Sequence, residues 1–398
     1  MRRTACLAIM CLTCVSCLHS QGPRSSVPER WAPSTAERVG DSVRAVLTRA
    51  LADGAFPGAV AVVGNRAGIT ASFGVGRLDA ADASRPSLST IYDLASLTKI
   101  IATTSLMVQL VDQGRVALDT PVVRYLPAWR GPRASEVTVR QLLTHSSGLA
   151  AWRAFYKEAT DRADASAQLM LVGPDAPPGT RYVYSDMNFM LLGMMAEQVT
   201  GMSLDSAFQK MVARPLRLAD TRFRPDSSLR LRVAPTEFDP WRQRQARGEV
   251  HDENAFRFDG VSGHAGLFST GDDMARVARL WLNGGELDGT RLASARAVSQ
   301  FTRAQDTLVS RRALGWETPT GTNSAGHRMS ARAFGHTGFT GTSIWIDPSR
   351  DLFVVLLTNR VNPTRQNARI GGVRVALADA IVGAMAGPAA RVSGTSPQ

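Results

Sequence analysis

The sequence predicts an α+β protein: an antiparallel sheet flanked by helices, with an inserted, mostly helical lobe. Strand-like runs occur near both ends of the chain, and helix-like periodicity fills much of the interval between them. A hydrophobic content of 44% over 398 residues supplies a large core. That content, with only 20% charged residues, excludes a disordered chain. No apolar run reaches the ~18 residues that a spanning helix needs.

From the N-terminus, Met1-Arg2-Arg3-Thr4 precedes an apolar stretch from Ala5 to Val15, the pattern of a secretory signal peptide over residues 1–17. All four cysteines (Cys6, Cys11, Cys14, Cys17) fall there, so the mature chain is expected to hold its core without disulfides. Val15-Ser16-Cys17 is similar to the end of a bacterial lipobox, although Cys14 stands where that pattern prefers Leu. Lipidation at Cys17, which would tether the protein to a membrane, and simple cleavage both remain open. Residues 18–35 read as a linker, because Gln21 to Pro28 has nothing to bury. The folded body is expected over 36–386, followed by a small, polar tail over 387–398.

Within the body, Val39, Val43, Val46, Leu47 and Leu51 have helical spacing over Glu37 to Ala52. Pro57-Gly58 stops that helix. Ala59 to Gly64 reads as a strand, with Ile69 to Gly76 as its hairpin partner. An apolar helix is expected from Ile100 to Gln113. Residues 121–250 carry a helical pattern broken by Pro and Gly, and Asp272 to Leu282 is an amphipathic helix. Thr342 to Asp347 and Leu352 to Leu357 are β-rich runs around the turn Pro348-Ser349-Arg350-Asp351, and a last helix covers Gly372 to Ala386. The terminal strands would share one sheet. That gives an α/β lobe from 36–120 and 251–386, with 121–250 as the helical lobe.

The net charge is +12, and 43 of the 46 basic residues are Arg, spread along the whole chain. Such a distribution reads as a solvated basic surface. No aromatic–basic interleaving accompanies it, so no nucleic-acid partner is expected. Nothing resembles a nucleotide or flavin site, and no cofactor is expected.

Three stretches could carry chemistry. Ser96-Leu97-Thr98-Lys99 leads into the apolar helix. Residues i and i+3 share a helix face, which puts a hydroxyl beside an amine that can take its proton. Lys99 is one of only three lysines in an Arg-rich chain, and Lys, unlike Arg, can shed a proton near neutral pH. Tyr184-Ser185-Asp186 follows the turn Pro177-Pro178-Gly179 and opens a helix. Tyr184 is a candidate general base, and Asp186 a candidate helix cap. His336-Thr337-Gly338-Phe339 leads into a strand, where backbone N–H groups could meet a developing oxyanion. His251, Asp252, Glu253 and His264 are residue types that bind zinc, but their spacing fits no zinc motif. They read as a loop bordering the cleft, with no metal.

Taken in order, Ser-x-x-Lys, Tyr-x-Asp and His-Thr-Gly resemble the motifs of the serine β-lactamase and penicillin-binding-protein superfamily, in its class C β-lactamase-related branch. Leu118-Asp119-Thr120-Pro121, Leu142 to Leu149 and Gly338 to Gly341 extend the resemblance to nearly the whole body. Gly248 to Ala255 and Gly263 to Ser269 resemble the periplasmic DD-carboxypeptidase subgroup. The resemblance implies Ser96 as nucleophile, with Lys99 and Tyr184 handling its proton. It implies an oxyanion hole from the N–H groups of Ser96 and Phe339, and substrate binding by Asp186, His336, Thr337 and Gly338. It further implies an exported enzyme, periplasmic or membrane-anchored, cleaving D-alanyl cell-wall peptides. Esterase or weak β-lactamase action on the same scaffold and a non-catalytic penicillin-binding sensor are the alternatives. Two positions depart from the family pattern: Asp186 replaces Asn, and His336 replaces Lys. An ionised Asp cannot donate a hydrogen bond, and a neutral His supplies no positive charge.

Overall fold

The structure, a computed structural model, describes residues 29–305, 308–321 and 323–386. The signal peptide, Cys17, most of the expected linker and the tail lie outside the described residues. The first helix covers Pro33–Ala52, starting inside the expected linker. A Pro in the first turn explains the earlier start, since its fixed φ suits a helix and its missing N–H has no partner to lose there.

The main sheet is five-stranded and antiparallel. Its order is Phe334–Thr337, Ser343–Asp347, Leu352–Thr358, Gly58–Asn65, Gly68–Gly76. The two ends of the chain meet at its centre, where Ala59 pairs with Thr358 and Val63 with Val354. The inner strand Gly58–Asn65 is buried along its whole length, which explains its lack of polar alternation. Ala59, Ala61 and Val63 face one core with Val43 and Leu47 of the first helix and Leu377 and Ile381 of the last, Ile370–Ala386. Val60 and Val62 face the larger core, which includes Met274 and Val277 of the helix Gly271–Leu282. Each fully buried Val or Leu contributes about 1.5–3 kcal/mol of transfer free energy to the sandwich.

The interval between the sheet halves carries the helices Val139–Leu143, Arg162–Met170, Asp186–Thr200 and Leu204–Phe208. After Ala213 the expected helical pattern gives way to turns and two-residue strands, among them Arg222–Phe223 and Phe238–Asp239. Pro215, Pro225, Pro235 and Pro240 interrupt any helix there. Among the described residues, no helix is long and apolar enough to cross a membrane.

Candidate active site

Ser96 sits on a tight turn between the strand Tyr92–Asp93 and the buried helix that begins at Lys99. Ala95 has a φ of 46°, a strained value for a residue with a side chain. The buried Asp93 carboxylate holds it there, accepting from Ala95 N at 2.8 Å and His251 N at 2.6 Å. The Lys99 N–H donates to the Ser96 carbonyl at 3.1 Å, a tight i, i+3 turn that stacks the two side chains on one side. The helix then runs as a π-turn over Lys99–Thr104 before becoming α-helical over Ser105–Asp112. The sequence reading of one regular helix from Ile100 did not resolve this widening, which requires seeing the backbone.

Lys99 is fully buried. Its Nζ donates to Ser96 Oγ at 3.0 Å, to Asp186 Oδ1 at 2.7 Å and to the His264 carbonyl at 3.2 Å. The Tyr184 ring packs beside it, with its centroid 5.1 Å from Nζ. Two distant segments therefore converge on the Ser96 turn. Asp186 is the first residue of the helix Asp186–Thr200, where the helix dipole favours a negative charge. Gly263 lets the second segment in: a Cβ there would collide with the Phe189 carbonyl and with Gly193 on that helix.

Burial pushes the Lys99 amine down, but the Asp186 carboxylate and Tyr184 oxygen outweigh it and hold its pKa above the ordinary value. Burial pushes the Tyr184 phenol up, against the opposing pull of Lys99. His264 lies behind this group, with Nε2 3.0 Å from Asp252 Oδ1 and Nδ1 2.8 Å from Ser262 Oγ. Ligand atoms of Asp186, Asp252 and His264 fall within 4.8 Å of one another, and the Lys99 ammonium rests against Asp186 beside them.

A cavity of about 400 Å³ opens from Ser96 and is lined by Tyr184, His336, Thr337, Gly338 and Phe339, with Tyr182, Glu317 and three arginines. Burial, reinforced by Arg312 and Lys99, holds His336 well below its ordinary pKa, so the ring is neutral. Its Nδ1 lies 2.8 Å from the Thr337 carbonyl and must donate to it, leaving a lone pair on a buried, unpartnered Nε2. The positive charge in the cavity comes instead from Arg312, Arg360 and Arg374. Arg312 is buried, lies 3.3 Å from Glu317 and sits over the Tyr184 ring at 5.6 Å. Arg374 donates to the carbonyls of Gly338 and Thr342 at 2.7 and 2.8 Å. The Nε atoms of Arg312 and Arg374 are buried with no protein partner.

The turn bearing Phe339 is stitched to the Ser96 turn. Thr340 Oγ1 donates to the Asp93 carbonyl at 2.7 Å and Thr342 Oγ1 to the Leu94 carbonyl at 3.0 Å. A Cβ on Gly338 would collide with the Leu94 carbonyl and the Thr342 hydroxyl. Gly338→Ala is therefore expected to slow acylation of Ser96 about 100-fold by displacing that turn. Stopped-flow acylation rates beside a thermal melt check it; wild-type acylation would show that the turn tolerates a methyl group.

The structure brings together Ser96, Lys99, Tyr184, Asp186, His336, Thr337, Gly338 and Phe339. Asp186, expected to contact substrate, is engaged with Lys99. Arg312, Arg360 and Arg374 were not singled out from sequence, because nothing local marks them among so many arginines.

This fold and cleft define a serine hydrolase. Residues 43–378 match the Beta-lactamase family, and the chain belongs to that family. It is similar to a Bacillus subtilis (strain 168) protein named "N-acetylmuramyl-L-alanine amidase", at 35% identity over 68% of each chain. It is similar to an Escherichia coli (strain K12) protein named "Putative D-alanyl-D-alanine carboxypeptidase", at 33% identity over 68% of this chain and 69% of that one. The crystal structure of a penicillin-binding-protein homologue from Caulobacter crescentus superposes with a TM-score of 0.72. It covers 90% of this chain and 100% of that one at 23% identity, a likeness of fold.

Proposed function

We propose that this protein cleaves the terminal amide of D-alanyl cell-wall peptides through an acyl-enzyme on Ser96. The observation that carries the reading is the buried Lys99 amine 3.0 Å from Ser96 Oγ, with Ser96 itself lining a cavity that three arginines also line. Ser96 Oγ attacks the amide carbon while its proton passes to the Lys99–Tyr184 pair, which must first have given one up. The N–H groups of Ser96 and Phe339 receive the oxyanion. The pair returns the proton to the leaving nitrogen, D-alanine departs, and water hydrolyses the Ser96 ester. His336, Thr337 and Gly338 line the substrate. Arg312 and Arg374, with unpartnered Nε atoms, supply the charge for its terminal carboxylate. The basic, apolar start of the chain supports export to the periplasm, where such peptides occur.

A second reading follows the amidase relative: the same acyl-enzyme chemistry on the amide between a muramyl group and L-alanine. Purified protein is to be offered a D-alanyl-D-alanine peptide, the same peptide amidated at its C-terminus, and a muramyl-L-alanine peptide, with products read by mass spectrometry. Free D-alanine is expected from the first, with kcat/KM about 10–100-fold lower for the amidated peptide, the worth of one charged contact. Cleavage of the muramyl amide alone would replace the first reading with the second. Turnover only of nitrocefin or short esters would replace both with a weak β-lactamase or esterase. Absence of turnover and acylation would favour a penicillin-binding sensor.

A further inference from the structure

We propose that His145 is a positioning residue that holds the Tyr184 hydroxyl in place against Ser96 and Lys99. The inference rests on the reading of Ser96 as nucleophile. His145 brackets Tyr184 in the chain: its carbonyl accepts from Val183 N at 3.0 Å, and its Nδ1 accepts from Ser185 N at 3.0 Å. Its ring also lies on the Tyr184 ring, with centroids 4.5 Å apart and a 30° tilt. The residues before and after Tyr184, and the phenol itself, are thus all held by one side chain and its backbone.

The surrounding bonds settle which nitrogen carries the proton. Ser147 Oγ donates to Asn188 Oδ1 at 2.6 Å, which turns the Asn188 amide nitrogen toward His145 Nδ1 at 3.1 Å. Two N–H groups therefore point at Nδ1, which must be the acceptor, and the ring proton sits on Nε2. Protonating Nδ1 would place three hydrogens against one another. Burial, with Arg312 and Lys99 nearby, keeps the ring neutral in the same direction. His145 is fully buried and has a φ of 56°, a backbone state that favours Gly or Asn. A His kept there despite its conformational cost is explained by the acceptor and the ring that it presents to the Tyr184 segment.

Two substitutions suit that backbone and differ in the acceptor. His145→Asn keeps an acceptor close to the Nδ1 position, whereas His145→Gly has neither acceptor nor ring. The readout is phosphonylation of Ser96 by a fluorophosphonate probe. There the Oγ–P bond forms, fluoride leaves and the hydroxyl proton passes to the Lys99–Tyr184 pair. The probe carries no carboxylate, so its result is independent of the D-alanyl substrate.

For His145→Gly, kinact is expected to fall about 100-fold with little change in KI, the size of effect produced by a misplaced catalytic group. His145→Asn is expected to recover most of that loss. Asn188→Leu removes one of the two donors on Nδ1 and should lose rate in the same constant, by less. A His145→Gly protein that melts like wild type and labels at the wild-type kinact would overturn the proposal, as would a loss confined to KI. If His145→Gly does not fold, wild-type kinact in Asn188→Leu overturns it. A wild-type protein that the probe does not label would overturn the Ser96 assignment together with this proposal. Labelled wild type with an unaffected variant overturns this proposal alone.

Discussion

Ser96→Ala is expected to abolish covalent labelling by a fluorescent penicillin and to reduce turnover of any acyl substrate by about 10⁶-fold, the loss seen when a serine nucleophile is removed. The wild-type chain should gain the mass of one acyl group, located on the peptide that contains Ser96. Ser96 is only partly buried and its Oγ accepts from Lys99, so truncation leaves the core untouched. The variant should melt within about 0.5 kcal/mol of wild type. Persistence of the adduct in Ser96→Ala would assign the nucleophile to another residue. The lifetime of the wild-type adduct separates two outcomes: a stable one defines a penicillin-sensitive peptidase, and a transient one with hydrolysed drug a β-lactamase.

Lys99→Arg is expected to be no more active than Lys99→Ala, both falling about 10³-fold or more in acylation rate, the usual worth of a positioned proton carrier. Arg keeps the charge next to Asp186 but cannot release a proton at any working pH. An Arg variant near the wild-type rate would show that Lys99 acts only as a fixed charge. The partner experiment is Asp186→Asn. In wild type the Asp186 carboxylate stabilises the ammonium form of Lys99 and helps to hold its pKa up. Neutralising it disfavours the ammonium, lowers that pKa and frees the amine at lower pH. The rising limb of the acylation rate against pH should then move to lower pH. The limb belongs to the coupled Lys99–Tyr184 pair rather than to either residue alone. A limb that stays put, or moves upward, would show that Asp186 does not govern the base.

The departures at Asp186 and His336 have structural counterparts. A carboxylate replaces the family's amide and lies 2.7 Å from the Lys99 amine. A neutral imidazole replaces the family's ammonium, and the cations lining the cavity are arginines. The cavity therefore keeps a positive character without the third-motif lysine. Arg312 comes from an irregular segment, Arg360 follows the strand Leu352–Thr358, and Arg374 lies on the last helix.

Much of the fold was legible because it is written in local periodicity. Val39, Val43 and Leu47 repeat at helical spacing and face one core; Ala59 to Val63 carry a strand run long enough to be buried on both sides. Ser96 and Lys99 were legible for the same reason, since three residues along one tight turn bring them together whatever the rest of the chain does. The segment after Ala213 was less legible: its prolines were visible, but the short pairings that replace a helix depend on distant partners, as when Phe223 pairs with Leu267.

Sequence alone thus determined the first and last helices, the long strands near both ends, the Ser96–Lys99 pair and the family pattern that it opens, because each depends on residues close in the chain. Tertiary structure decided the rest. Lys99 meets Asp186 from 87 residues away and the His264 carbonyl from 165, and the charge state of that amine is the sum of those contacts and its burial. His145 reaches Ser185 across 40 residues, and nothing in its own neighbourhood announces that it cradles Tyr184. Electrostatic energies and hydrogen bonds depend on distance in space, and distance in space between remote segments is fixed only when the chain has folded.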